Sequence, residues 1–173
     1  MKVRSASARL PHPSLPGADW VDRYEVIVPG VGLTAEEAAR HLFGRMPAWA
    51  KQLLALRNII VAPLGLKEAS EEAVADSSPG SPRIGIFPVV SNTMNEIVLG
   101  FDDRHLDFRV VVDTFALKEG TTRVGVQTVI RRHNFSGRAY LALILPFHKV
   151  IVRSSLRRFA EDASKESRAG TNV

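Results

Sequence analysis

The sequence predicts an α+β fold in which a curved antiparallel sheet wraps around one long C-terminal helix. The first observation is an amphipathic stretch at 136–162 whose apolar residues recur at helical spacing. The second is a change to alternating apolar and polar residues from Arg83 onwards, which is typical of strands. The third is length: at 1.5 Å per residue the helix is roughly 40 Å long, too long for another ordinary helix to cover its apolar stripe. A sheet is therefore the expected partner of this helix.

The composition indicates a single folded domain. The chain has 173 residues, of which 45% are hydrophobic, and this is enough to bury a core. It has no cysteine, which excludes disulfides, thiolate metal sites and cysteine nucleophiles and fits a reducing compartment. No apolar run reaches the ~18 residues of a membrane span, and the N-terminus lacks the apolar segment of a signal peptide. We therefore expect a cytoplasmic protein without a membrane span.

The net charge is +5, and basic side chains crowd the last third of the chain. One interpretation is a face that binds an anion or an acidic partner, or one that binds nucleic acid. The other is a solvated helix face with scattered arginines at the sheet edges. We favour the second and expect no nucleic-acid partner, because no aromatic stacking pattern accompanies the charge.

The two ends of the chain lack a hydrophobic period. Residues 1–18 contain Pro11, Pro13 and Pro16, which predict an extended and mostly unordered N-terminal tail. The domain is expected to span residues 19–162, followed by a flexible tail at 163–173.

A strand and two short helices are predicted next. Tyr24, Val26 and Val28 alternate with Arg23, Glu25 and Ile27 and define a short first strand. Thr34 and Glu37 have the spacing of a capping box and begin the first helix. A second helix is expected from Pro47 because apolar residues recur there at steps of three and four, namely Trp49, Leu53, Leu56 and Ile60. Residues 67–83 have the composition of a mobile loop.

An antiparallel meander accounts for the alternating region, with strands at about 84–90, 95–101, 105–115 and 122–132. A turn at Asp103 and Arg104 would place Leu99 opposite Phe108 on one face of the sheet. Asp107 and Arg109 would then lie on the other face. Agreement of the apolar positions in both strands supports this assignment of faces.

The long helix has a clear inner side. Ser136 is the predicted N-cap, and Phe135 is placed to pack on Tyr140 as a hydrophobic staple. His148 lies at the centre of the apolar stripe, whereas Pro146 points away from it, where a bend is tolerated.

Four segments resemble the bacterial domain-of-unknown-function family 2867 over roughly residues 18–160: ADWVD at 18–22, NEIVLGFDDRHLDFR at 95–109, RHNFSGRAY at 132–140 and PFH at 146–148. The element order is also similar to that of the helix-grip superfamily, which includes START domains and polyketide cyclases. That similarity implies an apolar cavity between the sheet and the long helix. The Gly-x-Gly-x-x-Gly fingerprint of a dinucleotide-binding domain is missing, and we assign no cofactor.

The predicted function is binding of a small apolar or amphipathic molecule in that cavity. The alternatives are a cyclase- or hydrolase-like enzyme that uses His148, and an interaction module that uses the basic helix face. We assign no catalytic residue and no metal ligand, because the histidines lack paired ligand spacing. The candidate ligand-binding residues are Trp49, Arg57, Leu99, Phe108, Tyr140, Ile144 and His148.

Each polar candidate also has a plainer interpretation. His148 can be a core histidine with a protein partner. Arg57 can cap the carbonyls of its own helix. His105 and Asp107 have the residue types of a general base, but they are also expected on the face away from the core, as part of an ion-pair ladder or a homo-oligomer contact.

Overall fold

The computed structural model describes residues 2–44, 82–103 and 105–170, and every structural statement below concerns these residues. They form an α+β fold with one open, curved, antiparallel sheet of seven strands and a long C-terminal helix, which confirms the predicted class. The strands are β1 (Arg4–Ser5), β2 (Trp20–Pro29), β3 (Arg83–Ile84), β4 (Phe87–Asn92), β5 (Glu96–Asp102), β6 (Leu106–Ala116) and β7 (Thr121–Arg132), and the helices are α1 (Ala35–Phe43) and α2 (Phe135–Gly170).

The strands lie in the order β1-β2-β7-β6-β5-β4-β3. The meander runs from β3 to β7, and β2 pairs with the last strand of that meander, Trp20 opposite Ile130 and Pro29 opposite Thr121. The single strand predicted at 84–90 is wrong, because Gly85, at φ +59°, makes a turn that divides it into β3 and β4. A left-handed backbone of this kind is one that glycine adopts without steric cost.

The hairpin of β5 and β6 has the predicted faces but a different register. Leu99 lies opposite Val110, and Phe108 lies opposite Phe101 rather than Leu99, so each pair is shifted by two residues. A shift of two preserves the alternation of faces, and this is why the apolar pattern did not reveal it. Phe108 and Leu99 still share one face, and Asp107 and Arg109 lie on the other.

The main core lies between the sheet and the two helices. Val26 and Val28 of β2 pack there with Val152, Leu156 and Phe159 of α2. On the opposite face of the sheet, a smaller cluster forms around Val98, Val111, Val129 and Leu15. The segment before Asp19, which was predicted as an extended lead-in, thus covers part of the second face, and β1 pairs with β2.

The first helix begins as predicted. Thr34 accepts a hydrogen bond from the Glu37 backbone N–H at 3.2 Å, and the Glu37 carboxylate accepts from the Thr34 N–H at 2.9 Å. This reciprocal pair is a capping box. The second predicted helix, with Trp49 and Arg57, and the predicted loop up to residue 81 lie outside the described residues.

The long helix starts earlier and ends later than predicted. Asn134, rather than Ser136, is the cap: its Oδ1 accepts from the Gly137 N–H at 3.0 Å. Phe135 is 83% exposed, so the predicted staple on Tyr140 is wrong. The helix ends at Gly170 instead of Asp162, and Ala163 packs against the main core. Pro146 is exposed, as predicted.

Candidate ligand site between the sheet and the long helix

Two adjacent rows of side chains cross the helix-facing side of the sheet. The pairing of β2, β7, β6 and β5 places Trp20, Ile130, Phe108 and Phe101 in the first row. The second row contains Asp22, Thr128, Val110 and Leu99. Helix α2 passes over the β2 end of these rows, because Trp20 and Asp22 both contact His148.

Three of the predicted residues come together around the first row. Phe108 and Tyr140 pack with Leu106, Ile130 and Leu141 in one cluster that also includes Trp20. His148 lies against Trp20, with an edge-to-face ring contact at 5.9 Å between centroids. The structure therefore joins residues from β2, β6, β7 and α2 at one end of the sheet.

The other predicted residues have different positions. Leu99 is completely buried in the main core, at the far end of the second row from Asp22. Ile144 is half-buried on α2, one helical turn from both Tyr140 and His148. Trp49 and Arg57 lie outside the described residues.

The burial of α2 changes along its length. Its sheet-facing residues Val152, Leu156 and Phe159 are at most 8% exposed. Before Val152, Gly137 and Leu141 are the buried residues of the helix, whereas the other residues near the sheet are half-buried: Tyr140, Ile144, Leu145 and His148. In the sheet row beneath them, Trp20, Phe101 and Phe108 are half-buried too. Apolar surface of both layers thus remains partly accessible at the same place.

A polar group lies beside this apolar surface. The His148 Nε2 atom is 3.2 Å from each carboxylate oxygen of Asp22, and the two side chains are 19% and 14% exposed. Burial raises the pKa of Tyr24, and the nearby charge of Asp22 raises this pKa further, whereas Arg153 lowers it. Asp22 therefore accepts from the His148 imidazole and lies close to the Tyr24 side chain. The Arg153 guanidinium lies 5.9 Å from the centre of the Tyr24 ring.

This arrangement leaves one imidazole nitrogen available. Among the described residues, none forms a hydrogen bond with His148 Nδ1. In the tautomer whose Nε2–H donates to Asp22, Nδ1 has a lone pair that can accept a proton or a hydrogen bond. Asp22 would hold the ring in that orientation, as carboxylates do for histidines that act as bases.

Sequence reasoning missed Trp20, Asp22 and Tyr24 as members of this site. The signal was their alternation, because residues at every second position of a strand share a face with the core residues Val26 and Val28. Asp22 is the only charged residue on that face of β2. A carboxylate there was an indication that a polar partner would lie opposite.

The cluster around His105 has protein partners. Asp107 is 8% exposed, and its Oδ1 is 2.9 Å from His133 Nε2. Arg109 is paired with Asp102 at 2.6 Å, and His105 Nδ1 is 3.2 Å from the Asn134 amide. These contacts agree with the ion-pair interpretation of this face. Within the ranges that the structure describes, no group of three acidic or histidine residues could hold a metal ion.

The fold and this site together define a class: an α+β domain whose antiparallel sheet packs on one long helix, with a polar pair set into an aromatic interface. A family model with the description "Protein of unknown function (DUF2867)" matches residues 14–155. The chain therefore belongs to this family. Comparison with curated proteins found no match, and comparison with solved structures found none.

Proposed function

We propose that this protein binds a small amphipathic molecule between the first half of α2 and the Trp20–Phe101 row of the sheet. The observation that carries the proposal is the shared partial exposure of the two apolar layers at this place, in contrast to the tight packing of Leu156 and Phe159 further along the helix. Partly accessible apolar surface on two facing elements is what a ligand site of this kind requires.

The polar end of the ligand would lie at the His148–Asp22 pair. The apolar body would contact Trp20, Phe108 and Tyr140, whose rings offer large contact areas. A ligand hydroxyl or carboxyl group would bond to His148 Nδ1, while Nε2 stays with Asp22. A helix-grip arrangement, in which the sheet holds a ligand against the long helix, is part of this proposal.

Thermal unfolding with a library of fatty acids, sterols and aromatic acids tests the proposal. A compound at 100 times its dissociation constant adds about 2.7 kcal/mol and raises the midpoint by roughly 5–10 °C in a chain of this size. Ile144→Trp places a larger side chain in the proposed site and should abolish the shift. Leu143→Trp, one residue earlier on the outer side of α2, is the matched control and should respond like the parent protein. If no compound raises the midpoint of the parent protein, the binding function is wrong.

The His148–Asp22 contact also favours a second candidate, an enzyme of the cyclase or hydrolase kind with His148 as general base. His148→Gln separates the two functions. A base is lost in this variant while the apolar contacts remain, so the thermal shift should persist and any conversion of the bound compound should stop.

A further inference from the structure

The outer face of the first half of α2 is apolar and exposed. Phe135 is 83% exposed, Val150 58%, and Leu143 and Phe147 are each 41% exposed. The face also includes Ala139, Ala142 and Pro146. From residue 135 to residue 150 it extends over roughly 22 Å of helix. A continuous apolar surface of this size is usually covered by a partner.

The charges around this face have one sign. Between Phe135 and Ala160 the chain contains no aspartate or glutamate and five basic residues, Arg138, Lys149, Arg153, Arg157 and Arg158. Arg138 and Lys149 are exposed and lie on one flank of the apolar face. Arg157 continues the face towards the C-terminus, as does the helix position of Arg153, whose guanidinium reaches back to the Tyr24 ring. Whatever covers this face must therefore accept positive charge at its edge.

We propose that this face of α2 docks on the surface of an anionic lipid bilayer. Apolar side chains of an interfacial helix enter the boundary between headgroups and acyl chains, while flanking lysines and arginines contact anionic headgroups. A second copy of the chain fits less well, because a two-fold pairing of this face would bring the basic flanks of the two helices together.

The helix would lie on the membrane rather than cross it. Among the residues that the structure describes, α2 over Phe135–Arg168 is the helix long and apolar enough to span a bilayer by length and composition. Its inner side, however, packs Val152 and Leu156 in the protein core and joins His148 to Asp22. A crossing would separate these contacts, whereas surface docking keeps them.

Flotation with vesicles tests the proposal. The full chain should float with vesicles of three parts phosphatidylcholine to one part phosphatidylglycerol, and it should stay in solution with pure phosphatidylcholine. Lys149→Ala should weaken binding about fivefold, from the loss of one basic contact. Phe147→Ser should weaken binding about tenfold or more, because it removes an aromatic side chain that docking would bury in the bilayer. Phe115→Ser and Lys118→Ala, which change exposed residues elsewhere on the surface, should bind like the parent protein.

A single introduced cysteine shows whether the face is free before docking, since the chain has no cysteine of its own. Val150→Cys should react with a water-soluble maleimide as fast as Val90→Cys, a valine 49% exposed on β4. An environment-sensitive dye on Val150→Cys should shift to the blue with the anionic vesicles, and the same dye on Val90→Cys should not.

Four outcomes would overturn the proposal. The first is absence of flotation at low salt, and the second is slow labelling of Val150→Cys without vesicles, which would mean that the protein itself covers the face. The third is retention in the bilayer after alkaline extraction, which would mean that the helix spans the bilayer. The fourth is a dimer that Phe147→Ser dissociates while vesicles bind no protein, which would mean that a second copy is the partner.

Discussion

At the level of single residues, the Asp22 carboxylate has the His148 imidazole as its hydrogen-bond partner, and its charge acts on the nearby Tyr24 hydroxyl. A carboxylate that is 14% exposed depends on such partners, because a buried polar group without one is costly. The His148–Asp22 pair is therefore an element of stability as well as part of the proposed ligand site.

The first prediction concerns the loss of one donor. His148→Phe should lower the free energy of unfolding by about 1–3 kcal/mol, because the mostly buried Asp22 carboxylate loses its hydrogen bond to the imidazole. Urea unfolding of His148→Phe, Asp22→Asn and the double variant measures the coupling. The loss of stability measured for the double variant should be clearly smaller than the sum of the losses in the two single variants. Strict additivity would mean that the 3.2 Å contact contributes nothing to stability.

A second prediction follows from Tyr24. Its pKa is raised in the folded protein by burial and by Asp22, so the unfolded chain ionises its tyrosine first. The free energy of unfolding should therefore fall as the pH rises above about 10 and through the folded pKa. In a Tyr140→Phe background, where Tyr24 is the sole tyrosine, ultraviolet titration should show that Tyr24 ionises at a higher pH than free tyrosine. Asp22→Asn should lower the pH at which Tyr24 ionises. Ionisation at the pH of free tyrosine would contradict the burial of this hydroxyl.

At the level of elements, the start of α2 is fixed by close contact with the β5–β6 hairpin. A side chain on Gly137 would collide with the His105 carbonyl oxygen, which also accepts a hydrogen bond from the His133 N–H at 3.0 Å. Glycine at this position lets the helix begin directly after β7.

The sign of the stability change in Gly137→Ala therefore tests whether the contact with the hairpin fixes the start of the helix. Alanine favours a helix over glycine by about 1 kcal/mol, so an unconstrained position would be stabilised. Here we expect a loss of stability in thermal or urea unfolding, because the hairpin has to move. Ser136→Ala, the neighbouring change at the predicted cap, should have little effect, since Asn134 caps the helix. A more stable Gly137→Ala protein would show that the contact is not rigid.

The elements differ in how well the sequence predicts them. The capping box of Thr34 and Glu37 is local chemistry, and it begins α1 as predicted. The faces of β5 and β6 follow from alternation, but their register depends on the turn, which alternation cannot specify. Asn134 and Ser136 are equally good caps, and the tertiary contact at Gly137 decides between them.

At the level of the whole molecule, β2 joins the N-terminal part of the chain to β7, the last strand of the meander. Arg23 on β2 reaches over β7 and forms two contacts with Asp113 on β6, at 2.6 and 2.8 Å. Gly125 lies beneath this bridge, and a side chain there would collide with the Arg23 guanidinium. The ion pair thus connects three strands.

Gly125→Ala should lower the free energy of unfolding by about 1–3 kcal/mol, because the half-buried pair is displaced. In an Arg23→Met background the same change should cost much less, since the guanidinium is gone. Urea unfolding of the four proteins measures the difference. Equal costs in both backgrounds would mean that Gly125 is required for a reason other than this bridge.

Only half of the site could be predicted from the sequence, because the other half depends on strand pairing between distant parts of the chain. Tyr140 and His148 follow from helical spacing, which is local. Trp20 and Asp22 belong to it only because β2 pairs with the last strand and lies under α2, and such non-local pairing leaves no period in the sequence. The interpretation of His148 as a core histidine with a protein partner agrees with its contact to Asp22.

The central claim is that a ligand binds between Tyr140, Ile144 and His148 on α2 and the aromatic row of the sheet. Methyl NMR of isoleucine-labelled protein, titrated with the compound that gives the largest thermal shift, tests it most directly. The resonances of Ile144 and of Ile130, which packs with Tyr140 and Phe108, should move, and those of Ile84 in the main core should not. Movement of Ile84 without Ile144, or no change at any isoleucine, would contradict the claim.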